Sequence, residues 1–425
     1  MVDLKYIKDN PEAVRENIRN RYMNVDVDDI LALYEERNRL LRNIEEVRQK
    51  RNENAKRMKA KLEPEERSSL IEQGKQLKEQ IASLEEEMKS IEVRLWDEAK
   101  KIPNAAHPDA PIGKEDKDNL EIRRVGEPTP FDFTPQDHIQ IGSALDLLDF
   151  ETAAKVSGPK FYYLKNEAVY LEMGLIRYAM DTLQAHGFTI TMTPDIAKEE
   201  VVEGIGFNPL GAESNIYILE GTGTCLVGTA EITLGGYHSN SLLKPEQLPI
   251  RLAGVSHCFR REAGAAGQYS KGLYRVHQFT KVEMFVYAHP EASEELHQEL
   301  LAIEEEIFQG LEIPYRVVDT CTGDLGAPAY RKYDLEAWMP GRGENGDWGE
   351  VTSTSNCTDY QARRLGVRFK EDGKTQFVHM LNGTAIAVSR AIIALLENRQ
   401  QADGTIAIPK KLIPYTGFDT ITAKK

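Results

Sequence analysis

Between Asp28 and about Lys101, apolar residues recur at helical spacing in a background of Glu, Lys, Arg and Gln, with Pro64 the single proline. In the second half of this stretch Leu70, Leu77, Ile81, Leu84, Met88, Ile91 and Leu95 follow alternating steps of three and four residues. Gly74 fills the one gap, and the pattern is that of a coiled-coil seam. Ile30, Leu33, Leu40, Ile44, Val47 and Met58 mark a weaker seam in the first half. Leu62-Glu63-Pro64-Glu65 separates the halves, and a proline with acidic neighbours suits the first turn of a new helix. The pattern predicts one antiparallel hairpin of two helices, each about 35 residues and roughly 50 Å long at 1.5 Å per residue. An arm of that length exceeds what a compact domain needs and is expected to project into solvent.

Beyond the arm the pattern changes twice. From Ile102 to Pro135 six prolines alternate with polar residues, which predicts a linker and loop and not a packed element. From about Phe131 glycine, aromatic and β-branched residues become frequent, and short apolar runs such as Leu252-Ala253-Gly254-Val255 and Val282-Glu283-Met284-Phe285-Val286 alternate with turn signals. That is the pattern of a mainly antiparallel sheet with flanking helices. The expected organisation is α+β: a helical arm over 1–102, a linker over 103–130, and a second domain over 131–425.

Charge sharpens the reading of the arm. The chain carries 53 Lys and Arg against 68 Asp and Glu, a formal net charge of −15, so any binding of nucleic acid needs a local basic patch. Arg37 to Lys61 is dominated by Arg and Lys, whereas Glu65 to Glu98 is dominated by Glu. Pairing across the hairpin accounts for part of this division. Arg39, Arg42, Lys56 and Lys59 fall instead on the outward face of the register, where a phosphate-binding surface and a merely solvated face are equally good readings.

The four cysteines, Cys225, Cys258, Cys321 and Cys357, are widely separated, so reduced, non-ligating residues and no zinc are expected. No apolar run of about 18 residues occurs, and Met1-Val2-Asp3-Leu4-Lys5 does not begin a charged and then apolar leader. A cytoplasmic protein without a membrane partner is expected.

The residues richest in chemistry are Phe259-Arg260-Arg261-Glu262, a Gly/Ala-rich loop through Gly264, Gly267 and Gly272, and Arg275-Val276-His277-Gln278-Phe279-Thr280-Lys281-Val282-Glu283. They predict two apolar strands joined by a glycine-containing loop, with Arg260 and Arg275 near one site and Glu262 and Glu283 beside them. Opposed charges clustered in this way suit a zwitterionic or phosphorylated ligand, although charges alone equally describe a salt-bridged surface hairpin. The order F-R-x-E, loop, R-x-x-x-F-x-x-x-E resembles the second signature motif of class II aminoacyl-tRNA synthetases. Asn382-Gly383-Thr384-Ala385-Ile386-Ala387-Val388-Ser389-Arg390, leading into an apolar helix, resembles the third motif, and a helix start there favours phosphate. Glu167 to Ala185, ended by Gly187 and followed by Phe188 to Pro194, is similar to the first motif, which implies a homodimer.

A narrower resemblance indicates the amino acid. Thr229-Ala230-Glu231, the run Arg260 to Gly267, Gly272 to Phe279, Thr354-Ser355-Asn356-Cys357 with Gln361-Ala362-Arg363-Arg364, and Leu412-Ile413-Pro414-Tyr415 resemble the bacterial-type seryl-tRNA synthetases. With the arm included, the resemblance spans nearly the whole chain. It implies a serine site at Thr229, Ala230, Glu231, Glu283 and Thr384. It implies an ATP site at Arg260, Arg261, Glu262, Val276, Glu350, Val351, Thr352, Ser353 and Arg390, with Arg260 on the α-phosphate, Arg390 on the γ-phosphate and Glu350 a ligand for Mg2+. It also implies tRNA(Ser) as partner, with Arg39, Arg42, Lys56 and Lys59 the candidate contacts on the arm.

Hard carboxylate oxygens suit magnesium bound together with phosphates, and glutamates accept hydrogen bonds from an ammonium and a hydroxyl. The implied reaction is ATP-dependent formation of seryl-adenylate and transfer of the seryl group to the 3′ end of tRNA, with no protein nucleophile. Arg261 stands where the family usually has serine, alanines replace glycines in the third motif, and Ser389 precedes Arg390 where many members have glycine. The stretch Pro340 to Gly349 is also longer than usual. Two rivals therefore stand beside the leading reading: an adenylating paralogue with a non-tRNA acceptor, and a synthetase-like dimer without catalysis.

Overall fold

The computed structural model describes residues 2–61, 63–208, 214–263 and 269–423, and the chain divides into two compact units, Met1–Ala105 and Ala106–Lys425. The first unit is helical: α1 (Leu4–Asp9), α2 (Pro11–Asn20), α3 (Val27–Arg57) and α4 (Pro64–Ala99). Asp26 caps α3 by accepting from the Asp28 and Asp29 amides, and Pro64 opens α4 where a missing N–H costs nothing. Arg37 meets Glu92, Arg48 meets Glu85 and Arg57 meets Glu66, at 3.0, 2.7 and 3.5 Å, so α4 runs back along α3 as an antiparallel hairpin. Ile30, Leu33, Leu40, Ile44 and Val47 are buried against Leu70, Ile81, Ile91 and Leu95, which is the seam read from the spacing. At its base the seam merges with Ile7, Val14 and Ile18 of α1 and α2.

Asn54 is a seam residue that the apolar pattern did not mark. It is buried, its amide donates to the Leu70 carbonyl at 3.0 Å, and Gly74 leaves the space beside it. A polar residue at such a position fixes the register of the pair.

The second unit is built on an eight-stranded sheet of β1 (Leu120–Val125), β2 (Thr189–Met192), β3 (Ile250–Phe259), β4 (Gln278–Ala288), β5 (Tyr315–Asp319), β6 (Arg331–Met339), β7 (Asp347–Asn356) and β8 (His379–Ala387). The spatial order is β1-β5-β6-β7-β8-β4-β3-β2. Neighbours are antiparallel except β2 beside β3.

β1 corrects the expectation of an unpacked linker over 103–130: Leu120 to Val125 pair with Asp319 to Tyr315 at the sheet edge. Its residues are almost all exposed, its alternation of Leu120 and Ile122 with charged residues is broken by a register shift between Glu121 and Arg123, and the flanking prolines lie outside the paired segment.

Strand alternation decides which residues reach a ligand. On β4, Val282, Met284, Val286 and Ala288 face a core formed with α5 (Glu167–Ala185), α7 (Ser293–Gly310) and α8 (Val388–Arg399). The odd positions face the other way. Phe285 and Tyr287 pack with Ala230 and Leu234 of the short helix α6 (Ala230–Gly236), while Lys281 and Glu283 remain on that face with no apolar cover. The change from apolar to charged along one face of one strand is where the core ends and the site begins.

Candidate active site

The strand pair β3 and β4 is in register from Ile250↔Tyr287 to Phe259↔Gln278, so Arg260 follows the last paired residue of β3 and Val276 lies two before the first of β4. Gly264 and Gly267 of the connecting loop lie outside the described residues. Arg260 is held on three sides. Its Nε donates to the Gly228 carbonyl at 3.2 Å, its guanidinium lies 5.3 Å from the centre of the Phe279 ring, and its amide bonds the His277 carbonyl at 2.9 Å. Glu262, at φ 49°, turns back to Arg275 at 3.2 Å.

Arg260, Glu262, Arg275, Val276, Glu350, Val351, Thr352, Ser353, Thr384 and Arg390 line one cavity of about 140 Å³, with Tyr274, Phe279 and Lys281 also in its wall. Residues up to 130 positions apart in the chain are thus assembled at the places the motifs pointed to. Of the residues implied for ATP, Arg261 is the exception: it is exposed, absent from that wall, and engaged through its amide with the Asn215 carbonyl. Of those implied for serine, Thr384 lines the wall, whereas Thr229, Ala230, Glu231 and Glu283 do not.

At one end of the cavity the groups are cationic. Arg390, in the first turn of α8, lies 3.3 Å from the Glu350 carboxylate and donates to the Glu350 carbonyl at 2.9 Å. Burial works to raise the Glu350 pKa, and the charges of Arg390, Lys332 and Arg260 more than offset it, leaving the group below its ordinary value. The Thr352 hydroxyl is turned away to Glu304 on α7, at 2.8 Å, so this residue offers the cavity its backbone.

The other end is carboxylate-rich. Glu283 is buried and reaches the wall through Lys281, at 2.5 Å, and Thr384, whose hydroxyl donates to it at 3.2 Å. An irregularity in the β4–β8 pairing produces this arrangement: Val282 faces Ile386 but Glu283 faces Thr384, skipping Ala385. Thr229 caps α6 by accepting from the Glu231 amide at 3.2 Å, and Ala230 is fully buried in the core. The Glu231 carboxylate accepts from Gln361 at 2.8 Å and from Asn382, two residues before Thr384, at 3.0 Å. Burial, and next the nearby charge of Glu283, push its pKa up to about 7 against the weaker pull of Gln361, Lys281 and Arg260.

Lys281, Gln361 and Asn382 were not singled out from the sequence. Parity on β4 could have found Lys281, which shares the odd face with Glu283. Gln361 and Asn382 stand in runs that carry the family resemblance, but their bonds to Glu231 join segments 130 and 151 residues apart.

Among the described residues no group of three or more His, Cys, Asp or Glu side chains is placed to hold a metal ion. Of the two carboxylates in the cavity wall, Glu262 is taken by Arg275, and Glu350 fits magnesium, which is commonly bound by one or two carboxylates together with nucleotide phosphates.

The comparisons with known proteins converge on one family. Residues 219–399 match the tRNA synthetase class II core domain (G, H, P, S and T), and residues 1–106 match the seryl-tRNA synthetase N-terminal domain. The serine-tRNA ligase of Treponema denticola is 64% identical over 99% of this chain and 100% of its own length, and that of Borrelia recurrentis 58% identical over 100% of both. Among solved structures, the seryl-tRNA synthetase of Pyrococcus horikoshii complexed with ATP superposes with a TM-score of 0.92 at 42% identity, covering 100% of both chains. The cytoplasmic serine-tRNA ligase of Naegleria fowleri in complex with AMP gives 0.88 at 32% identity, covering 100% of this chain and 99% of the other.

Proposed function

The chain belongs to the seryl-tRNA synthetases, and from that premise we propose how its residues divide the work of activating serine with ATP and transferring it to tRNA(Ser). The observation that carries the proposal is the polarity of the cavity, with Arg260 and Arg390 at one end and Thr384, backed by Glu283, at the other. A zwitterionic amino acid and a polyphosphate fit that polarity in only one orientation. Serine places its ammonium and hydroxyl among Glu231, Glu283 and Thr384, and its carboxylate then points toward Arg260.

A serine carboxylate oxygen attacks the α-phosphorus of ATP. A new acyl–phosphate bond forms, the bond to the bridging oxygen breaks, and pyrophosphate leaves. The 3′-hydroxyl of the terminal adenosine of tRNA next attacks the activated carbonyl and releases AMP. Arg260 is pre-held by Gly228 and Phe279, so it meets charge developing on the α-phosphate without reorganising. Arg390 is assigned to the γ-phosphate. Glu350 would hold magnesium, which would supply charge neutralisation on the phosphates. Val276, Val351 and Ser353 form the nucleotide wall, Thr352 contributes backbone, and Glu262 acts by fixing Arg275. Arg261, exposed and outside the wall, is not placed to touch the nucleotide in this conformation.

The exposed outer face of α3 at Arg39, Arg42 and Lys56, with exposed Lys59 in the turn that follows, supports a tRNA-binding role for the 1–102 arm, with catalysis in the unit beyond it. Arg42, Lys56 and Lys59 are in none of the ion pairs found among the described residues, and Arg39 pairs only with its helical neighbour Glu36. Exposed Val169, Tyr170 and Met173 on α5, with Met192 ending β2, support a homodimer through that helix, checked by a solution mass of twice 48.0 kDa. Among the described residues no helix is long and apolar enough to cross a membrane, and the cytoplasm, where tRNA and ATP are present, is the proposed location.

The deciding experiment is pyrophosphate–ATP exchange with serine, alanine and threonine. Serine should support exchange, and alanine should be rejected by about 10⁴, because a site built to bond a hydroxyl leaves polar groups unpaired without it. Comparable exchange with alanine would overturn the serine assignment.

A further inference from the structure

Three segments that bear nucleotide-facing side chains converge on a buried pair remote from the reacting groups. His138, in the first turn of the helix His138–Ala144, and Glu397, near the end of α8, are both fully buried, with Nδ1 and Oε1 2.7 Å apart. Glu397 Oε1 also accepts from the His138 amide at 3.0 Å, and Oε2 from the Gly341 amide at 2.8 Å. On the far side of the imidazole, Nε2 accepts from the Leu273 amide at 3.2 Å. The Leu273 amide brings a donor to Nε2, which gives that nitrogen the acceptor role and leaves Nδ1 to donate to Glu397.

The fit around the pair excludes side chains. A β-carbon on Gly272 would lie 2.0 Å from His138 Nε2, and one on Gly341 would lie 2.8 Å from Glu397 Oε1 and 2.6 Å from the Asp137 side chain. Lys271 is tied to Asp137 at 2.5 Å, which anchors the same turn a second time.

Leu273 precedes Tyr274 of the cavity wall, Gly341 precedes Arg342, which lies over the Tyr274 ring, and Glu397 sits further along the helix that carries Arg390. The Arg342 and Arg390 guanidiniums lie 4.7 and 4.6 Å from the centre of the Tyr274 ring. We propose that His138 and Glu397 are a positioning pair that sets Tyr274 and Arg342 against Arg390 and thereby shapes the nucleotide end of the cavity. The serine end, on β4, β8 and α6, receives no bond from the pair.

This inference rests on the assignment of ATP to the cavity, and the test separates the two. In the full chain, His138→Asn keeps an amide near the Nδ1 position but cannot reach Leu273, whereas His138→Gln extends an acceptor to the Nε2 position. His138→Asn should raise the KM for ATP in serine-dependent exchange about tenfold and leave the KM for serine within twofold, and His138→Gln should recover most of the loss. Equal movement of both KM values, or movement of neither, overturns the pair. A purely structural role would order the variants by melting temperature without separating the substrates.

Arg260→Ala, measured alongside, isolates the premise. Undiminished exchange there sinks the ATP assignment, while lost exchange with unmoved His138 variants sinks the positioning pair alone. Should neither His138 variant fold, 15N spectroscopy of the wild-type histidines decides the matter: a proton on Nδ1 and a bare Nε2 at His138 are expected, and the reverse tautomer overturns the proposal.

Discussion

Two half-buried glutamates, Glu350 in the cavity wall and Glu231 beyond it, are driven in opposite directions. Both are penalised by burial, yet Glu231 rises to about 7 while Glu350 falls below its ordinary range. The difference lies in the neighbours: Glu231 has another carboxylate, Glu283, close by, whereas Glu350 has Arg390, Lys332 and Arg260. Glu231 thus sits beside a like charge that Lys281, 2.5 Å from Glu283, only partly offsets, whereas Glu350 sits among cations. In the proposed function an amino acid's ammonium would be drawn to the first and phosphates to the cations beside the second, so that the protein's own charge distribution would set their orientation before either substrate arrives.

The largest effect should come from the cationic end. Arg260→Ala is expected to lower serine-dependent exchange by about a hundredfold or more with little change in melting temperature, and near-normal exchange would remove Arg260 from the mechanism. At the other end Glu283→Gln keeps an acceptor for Thr384 but deletes the charge. A charge-assisted hydrogen bond contributes about 1.5–3 kcal/mol, so the KM for serine should rise at least about tenfold while that for ATP stays level. An equal rise for both substrates would show that the cavity is not divided as described.

The pH response sharpens the contrast. If Glu231 takes serine's ammonium as proposed, it must be ionised, and with its pKa pushed up to about 7 the KM for serine should climb roughly tenfold from pH 8 to pH 6, with no matching change for ATP. The stability sign is the reverse. A carboxyl whose folded pKa is raised stabilises the empty protein below its unfolded pKa, and that stability is lost as pH rises through about 7. Serine should accordingly raise the melting temperature more at pH 8 than at pH 6, and an equal shift at both would exclude Glu231 from the serine site.

The smallest effect on activation should come from the arm. Neutralising Arg39, Arg42, Lys56 and Lys59 together should leave exchange unchanged while weakening tRNA binding and flattening its salt dependence, by up to about one unit of log–log slope for each phosphate that is no longer neutralised. Unaltered tRNA affinity would remove this face from the interface.

How much of this was legible depends on the range over which each feature is encoded. The hairpin could be read residue by residue, since a seam repeating every three and four positions needs only neighbours in the chain to declare itself. Arg260, Glu262 and Arg275 were legible for a related reason: they flank one strand–loop–strand unit and keep a recognisable spacing. The edge strand Leu120–Val125 was not, because its alternation runs only from Leu120 to Arg123 and is broken by the register shift within it. Asn54 was hidden too, since its place in the seam depends on the space left opposite by Gly74.

By itself the sequence determined the elements, their order, the family resemblance and the motif residues that line the cavity. Tertiary structure alone decided which face of β4 carries ligand chemistry, that the skipped Ala385 brings Thr384 opposite Glu283, that Gln361 and Asn382 support Glu231, and that Arg261 points away. Periodicity is a property of the chain, whereas burial, the neighbouring charge that sets a pKa, and the partner of a buried polar atom are properties of what packs against it. Those partners lie tens to more than a hundred residues away, where no local pattern reaches.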